Sequence, residues 1–270
     1  MEKKDLKKQY KNTKRALKDS YRGSKRAARE TYKCDKDAAI KTYREGVSEL
    51  LYKIGKKIPN NPPKRALIEE IGNAVSHGVG SLFAVVAFVL MCLAANSNIE
   101  YIGAAVYFVG EMLMFTVSCL YHSFRHGSAV KRLFRRFDYS SIYLMIGGTF
   151  APILLCYSES SLAIWFFLIQ WAVIVTGITF IGVYGPTRLR WLHFPLYLIL
   201  GWCGVMFIPE MLVRGDYLLF GLVLGGGVIY SIGVIPFALN KKAAHFIWHF
   251  FVLGGAVVQW LGIYLVIYLQ

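Results

Sequence analysis

Charge is the scarce ingredient of this sequence. Only 17% of its 270 residues are charged, against about 25% in an ordinary globular domain, which excludes most soluble folds. Acidic residues are rarer still, 16 against 31 Lys and Arg. The resulting net charge of +15 resembles a nucleic-acid signal until it is divided along the chain. Residues 1–68 hold 21 Lys and Arg against 8 Asp and Glu, a balance of +13, whereas residues 69–270 hold 10 against 8, or +2. The charge belongs to a leader, and no nucleic-acid partner is expected. Cysteine pairs are missing as well. The five cysteines are scattered without a CxxC motif and four of them fall in apolar runs, so neither a disulfide framework nor a thiolate metal site is expected. The first apolar run follows some seventy mostly polar residues, which argues against a cleaved signal peptide.

Hydrophobicity is what the chain has in excess: 56% hydrophobic and 15% aromatic residues, with several runs near the ~20 residues that cross a bilayer as a helix. Candidate spans run at 76–96, 99–121, 139–157, 162–183, 191–209, 216–238 and 245–268. Short connections force neighbouring spans antiparallel. Basic residues in the connections set the orientation. Five lie after the second span (Arg125, Lys131, Arg132, Arg135, Arg136), two after the fourth (Arg188, Arg190) and two after the sixth (Lys241, Lys242). The opposite side has Arg214 alone, so nine stand against one. The expected fold is an all-α seven-transmembrane helix bundle in the cell membrane, N-terminus cytoplasmic and C-terminus outside, with a basic helical N-terminal extension. Its expected divisions are residues 1–58, a Pro-rich linker at 59–68 and a membrane domain at 69–270.

The leader has its own period. Tyr10, Tyr21, Tyr32 and Tyr43 recur every 11 residues, with Lys14-Arg15-Ala16, Lys25-Arg26-Ala27 and Lys36-Asp37-Ala38 in step. Eleven residues make three helical turns, so the tyrosines form a nearly straight stripe, with Leu17, Ala28, Ala39 and Leu50 beside it. Such a helix suits an anionic inner leaflet, its lysines snorkelling around a narrow apolar face. A solvated helix or a homomeric coiled coil, and hence a homo-oligomer, is the alternative. Ile58-Pro59-Asn60-Asn61-Pro62-Pro63 ends it, since proline cannot continue a helix.

Ionisable groups inside spans are costly and mark function by default. Here His77 opens the first span, Ser118 and His122 close the second, Asp138 opens the third, and His245 and His249 open the seventh. All of them fall near the cytoplasmic face. Ser118 and His122 are i,i+4 on one helix, as are His245 and His249, so each pair shares a face. Three imidazoles from two helices with a water complete an open tetrahedral zinc site of the catalytic kind, with Asp138 placed to orient a ligand or hold the water. Zinc brings the pKa of such a water to about 7. Helix-end histidines that merely meet water and headgroups are the alternative.

From about residue 67 onward the chain resembles the hemolysin III family, the bacterial branch of the progestin and adipoQ receptors. The stretches that carry the resemblance are Glu69-Glu70-Ile71-Gly72-Asn73-Ala74-Val75-Ser76-His77-Gly78, Ser118-Cys119-Leu120-Tyr121-His122-Ser123, Phe137-Asp138-Tyr139-Ser140-Ser141-Ile142-Tyr143, Gly147-Gly148-Thr149-Phe150-Ala151-Pro152, Leu200-Gly201-Trp202 and His245-Phe246-Ile247-Trp248-His249. The resemblance implies seven helices around a cytoplasmic-side zinc held by His122, His245 and His249. It assigns Asp138 to the water and Ser118 beside it, with Asn73 and His77 as candidate supports of the ligands. The chain departs from the family pattern at Tyr139 and Gln259, where a histidine is common, and at Thr149-Phe150-Ala151-Pro152 for Thr-Tyr-Thr-Pro.

The superfamily's similarity to alkaline ceramidases implies a metal-dependent hydrolase acting on a membrane lipid amide or ester. A non-enzymatic sensor of membrane lipid or energy state, and a cytolytic protein, are the other readings. Glu111, 7 residues before Ser118 and 11 before His122, lies on their helix face roughly 16 Å deeper. It is expected either to hydrogen-bond a neighbour such as Gln170 or to stand on a proton path to the metal.

Overall fold

The computed structural model describes residues 3–57, 62–239 and 241–269, and these divide into two units, Met1–Ile54 and Gly55–Gln270. In the first, α1 (Lys3–Lys57) is one helix of 55 residues, about 80 Å long at 1.5 Å per residue. Its four stripe tyrosines are 67–74% exposed. The Lys14 ammonium lies 6.0 Å from the Tyr10 ring one turn back, a cation–π distance. The Leu50 side chain and residues 58–61 of the expected break lie outside the described residues.

The second unit is the helix bundle. Among the described residues seven helical segments are long and apolar enough to cross a membrane: 67–94, 98–123, 129–157, 162–184, 190–214, 217–238 and 244–268. They comprise α2 (Leu67–Ala94), α3 (Asn98–Ser123), α4 (Ala129–Pro152), α5 (Leu162–Tyr184), α6 (Arg190–Trp202), α7 (Ile208–Arg214), α8 (Tyr217–Ala238) and α9 (Ala244–Ile263). The chain is thus a multi-pass membrane protein. A π-helical turn, Ile153–Tyr157, extends α4 beyond Pro152, and another, Tyr264–Tyr268, extends α9. The fifth span is broken: a 3₁₀ turn, Cys203–Phe207, separates α6 from α7. Pro209 sits in the first turn of α7, where its missing N–H does no harm.

Two helices start earlier than their apolar runs suggest. The first span begins at Leu67 rather than 76, shortening the expected linker, and the third begins at Ala129 rather than 139. Their charged first turns resemble loop in the sequence, yet they wind as helix because Glu70, Lys131 and Arg135 turn inward and are buried. Lys131, Arg132, Arg135 and Arg136 therefore belong to α4 and not to a connection. Polar caps set the starts. The Ser97 hydroxyl accepts from the Glu100 N–H at 3.3 Å, and the Glu100 carboxylate returns to accept from the Asn96 N–H at 2.6 Å. Ser128 caps α4 in the same way, accepting from the Lys131 N–H at 3.1 Å.

Small residues let the helix backbones approach, as is usual where lipid removes the hydrophobic drive between helices. A Cβ on Gly110 of α3 would fall 2.6 Å from the Leu144 carbonyl oxygen of α4, and one on Gly148 would fall 3.2 Å from the Gly110 Cα. Apolar side chains from α2, α3, α4, α5, α7, α8 and α9 and from the turns that extend them fill the half of the bundle away from the basic connections, around Tyr107, Ile153, Met211 and Ile263. Gly110→Ala is expected to cost about 1–3 kcal/mol by overpacking. Gly227→Ala, whose Cβ would meet nothing within 4 Å, is expected to leave the melting temperature in detergent unchanged or raised. Equal melting of the two variants would contradict the close α3–α4 contact.

Candidate metal centre

Antiparallel packing brings the ends of α2, α3, α4 and α9 together at the side of the bundle that carries the basic connections. Three histidines converge there: His122 from the last turn of α3, and His245 and His249 from the first two turns of α9. Their ligand nitrogens all lie within 4.8 Å of one another. His245 Nε2 is 3.3 Å from His122 Nε2 and 3.3 Å from His249 Nε2. His122 and His249 are buried, and His245 is partly open. The turn before α9 holds Ala243 at φ +60°, a left-handed conformation that costs a non-glycine residue about 1–2 kcal/mol and that sets where His245 emerges.

The opposite ring nitrogens fix the tautomers. His122 Nδ1–H donates to Glu70 Oε2 at 2.6 Å. His249 Nδ1–H donates towards the Asn73 carbonyl at 3.2 Å, with the Ser76 hydroxyl also 3.2 Å away. That hydroxyl spends its own proton on the Asn73 carbonyl at 3.0 Å, so it can only accept from His249. Both Nε2 atoms are therefore lone pairs, and both face the Nε2 of His245. One proton on His245 satisfies one of these contacts and leaves the other repulsive. A divalent cation satisfies all three. Ligand nitrogens about 2.0–2.1 Å from a tetrahedral ion stand about 3.3 Å apart, which is the spacing His245 Nε2 has to each of the other two. The donor set fits a metal ion, with imidazole the ligand type of several first-row metals.

Glu70 is the group the sequence reading left without a role. Its second oxygen, Oε1, lies 3.0 Å from Lys131 Nζ, and Lys131 is 0% exposed with its ammonium 4.8 Å from the Tyr121 ring centre. One carboxylate thus ties α2 to a histidine on α3 and a lysine on α4. Ser76 is the second omission. The available signal was spacing: Glu70, Asn73 and His77 fall at i, i+3 and i+7, one helix face, and Lys131, Arg135 and Asp138 fall at i, i+4 and i+7, also one face.

The expected supports occupy distinct places. Asn73 touches two ligands, through its carbonyl to His249 and with its side-chain amide 3.3 Å from His122 Nδ1. His77 is outside the triad and stacks on His249 at 3.7 Å between ring centres. Ser118 is buried and interacts with the Asp138 carboxyl. Asp138 is not one of the clustered ligands; with His245 it lines a cavity of about 1370 Å³ at this end of the bundle. Glu111 is apart from the cluster and 1% exposed. Its partner is Thr149, which donates to Oε1 at 3.3 Å, rather than Gln170; α4 crosses α3 at Gly110 and Gly148, which sets Thr149 beside Glu111. His193 is bonded to the Tyr143 hydroxyl at 2.9 Å, and His126 lies exposed in the turn after α3.

Metal content should follow this arrangement. The double variant His245→Ala, His249→Ala is expected to lose the ion, and His193→Asn to keep it. Glu70→Gln retains shape but loses the carboxylate that orients His122, and affinity should fall about 10–100-fold. Chelator competition monitored by elemental analysis checks all three, and an unchanged Glu70→Gln affinity would show that the His122–Glu70 bond does not serve the ion.

Comparison with known proteins agrees with a multi-pass helix bundle. Residues 65–260 match the family described as Haemolysin-III related. The chain is 33% identical over 195 residues to Hemolysin-3 of Bacillus cereus, covering 71% of this chain and 88% of that protein. It is 34% identical over 195 residues to the Hemolysin-3 homolog of Bacillus subtilis (strain 168), covering 71% and 91%. The Monocyte to macrophage differentiation factor of Homo sapiens is 27% identical over 217 residues, covering 77% and 89%. Glu70, Asn73, His122, Asp138, His245 and His249 all fall inside the family match, and α1 falls outside it, so the chain belongs to the haemolysin-III related family of multi-pass membrane proteins by its helix bundle alone.

Proposed function

We propose that the histidine triad holds zinc at the cytoplasmic face and that the protein hydrolyses an amide or ester bond of a membrane lipid. The observation that carries this reading is the convergence of three Nε2 atoms, two of them fixed as lone pairs, beside a cavity that His245 and Asp138 both line. Three protein ligands leave a tetrahedral ion one open position, the arrangement of catalytic rather than structural zinc, and among the described residues the cluster has three members. When bound, zinc would supply Lewis acidity towards a carbonyl and acidify a water molecule. The chain's own residues do the rest. Glu70 and the Asn73 carbonyl hold two imidazoles in the tautomer that exposes Nε2. Asp138 accepts the proton of the attacking water at a carboxylate oxygen and returns it to the leaving group. The Ser118 hydroxyl orients that carboxylate. A sensor in which the metal is structural would call for a fourth protein ligand. The cytolysis suggested by the bacterial relatives' names has less support, because the charges of α4 end at Asp138 and no span carries a charged stripe along its whole length to line a pore. Asp138→Asn should keep the metal and lower turnover about 10²–10⁴-fold. The assay is release of free fatty acid from a total lipid extract by the zinc-loaded protein. No release by fully loaded wild-type protein would reject the hydrolase and leave a structural ion.

The leader has a separate role in this proposal. Residues 1–58 would form a surface helix on the anionic leaflet, distinct from the membrane domain at 69–270 and joined to it through the linker. Support comes from the exposed tyrosine stripe and from Lys14, Lys25 and Lys36, four residues after successive tyrosines. In nanodiscs of anionic lipid the amide protons of α1 should exchange more slowly than in neutral ones, with the difference erased at high salt. Equal exchange in both would reject the surface helix. Protection that depends on protein concentration instead would indicate a coiled coil.

A further inference from the structure

We propose that the lipid is an anionic amphiphile whose phosphate or carboxylate headgroup is received by the large cavity beside the histidine triad. This rests on the lipid-hydrolase reading for the identity of the occupant as substrate. Lys64, Arg65, Arg135, Arg190, Lys241 and Lys242 line the cavity. Glu69 and Asp138 are its acidic residues, so the lining carries 6 − 2 = +4. Eleven basic residues stand at this end of the bundle, two before α2 and nine between or within the helix ends that follow. Orientation in the membrane explains why they are at this end. It does not explain why six of the eleven share one cavity with His245 and Asp138.

Clustered cations with low-dielectric walls focus a field that attracts anions, and guanidinium forks match phosphate and carboxylate oxygens. The lining also holds polar atoms with nothing to bond. Arg65 Nη1 and Thr187 Oγ1 are buried and have no hydrogen-bond partner among the described residues. A neutral polyol or amide headgroup would satisfy the hydroxyl and leave the charge uncompensated.

The tail has a place as well. Tyr139, Phe194 and Phe237 line both this cavity and a narrow apolar one of about 110 Å³. The Phe237 ring stands 5.7 Å from His245 and 5.2 Å from Phe194, so the narrow cavity begins beside the triad. Its wall includes Leu198 and Trp202 of α6, which are 40% and 38% exposed on the bundle's outer face. Trp202 reaches α8 through a 3.0 Å bond from its indole N–H to the Ser231 hydroxyl. A chain arriving from the bilayer between α6 and α8 meets the aromatic pair with its head at the cations.

Native mass spectrometry of the full chain, supplied with zinc, tests this with two probes of identical acyl chains, phosphatidic acid and phosphatidylcholine. Phosphatidic acid should be retained about tenfold better, the scale of one or two charge-assisted hydrogen bonds. The double variant Arg190→Gln, Lys242→Gln should lower that preference severalfold while keeping its metal. If it fails to fold, Lys242→Glu alone, in the exposed turn before α9, reads the same change. Val234→Phe, which narrows the apolar cavity, should weaken retention of the long-chain lipid but not of dibutyryl phosphatidic acid. Every variant carries the same leader, so its attraction for anions is a common background and the cavity is read from the difference between wild type and variant. Equal retention of the two lipids, or a preference undiminished in the charge variants, overturns the proposal. Preference without fatty-acid release would instead overturn the hydrolase and leave the anionic site standing.

Discussion

The arrangement at the basic end depends on the Glu70 carboxylate. With one oxygen on His122 and the other on Lys131, it fixes three helix ends in a place where water cannot substitute for a lost partner. Removing one member of such a buried set costs about 3–5 kcal/mol, mainly because the remaining charge is left alone. Lys131 has its ammonium inside the bundle because Glu70 is there, and Glu70 is ionic because Lys131 is. The same carboxylate sets the proton on His122 Nδ1, which frees Nε2 for a cation. Helix packing and ligand chemistry are therefore one constraint, and a change that loosens α2 against α4 must also change the triad.

Much of this was legible in the residues. Polar groups inside apolar spans are rare enough that His122, His245 and His249 stood out, and i,i+4 spacing put the last two on one face. The seven spans followed from length and apolarity. What escaped was the first two turns of α2 and α4. A hydropathy run marks where a helix meets lipid, whereas a helix whose inward face is charged continues beyond it. Lys131 resembles a loop charge in the sequence for that reason, and Glu70 stands out there only as part of a motif. Glu111 shows a different limit. It is buried on α3, as are Ser118 and His122, but which neighbour it meets depends on where α4 crosses, and that is set by Gly110 and Gly148 rather than by anything in the spacing of polar residues.

Depth explains why chemistry collects where it does. Glu111, near the middle of α3, has one oxygen on Thr149 and the other without a hydrogen-bond partner among the described residues. Polar groups there can be satisfied only by each other. The triad lies within about two turns of the helix ends, deep enough to be shielded from bulk water and shallow enough for His245 and Asp138 to meet a cavity. A site at that depth has strong electrostatics and access at the same time.

Formal charge then constrains what such a site can hold. Glu70 and Lys131 cancel, and three neutral imidazoles add nothing. A divalent ion in the triad with an ionised Asp138 would leave +1 at the centre, before the +5 of the rest of the cavity lining (six basic residues and Glu69) is counted. Cationic headgroups are repelled by that sum, and neutral ones do not offset it. An anion does, and its approach to the triad strengthens the hold on the metal as well, because each added negative charge favours the cation it faces. By linkage the reverse is also true: loading the ion must tighten the grip on an anionic lipid by the same factor. In this proposal ion and headgroup would be coupled ligands of one basic pocket, and Glu70, which bonds His122 without lining the cavity, would stand where that coupling enters the fold.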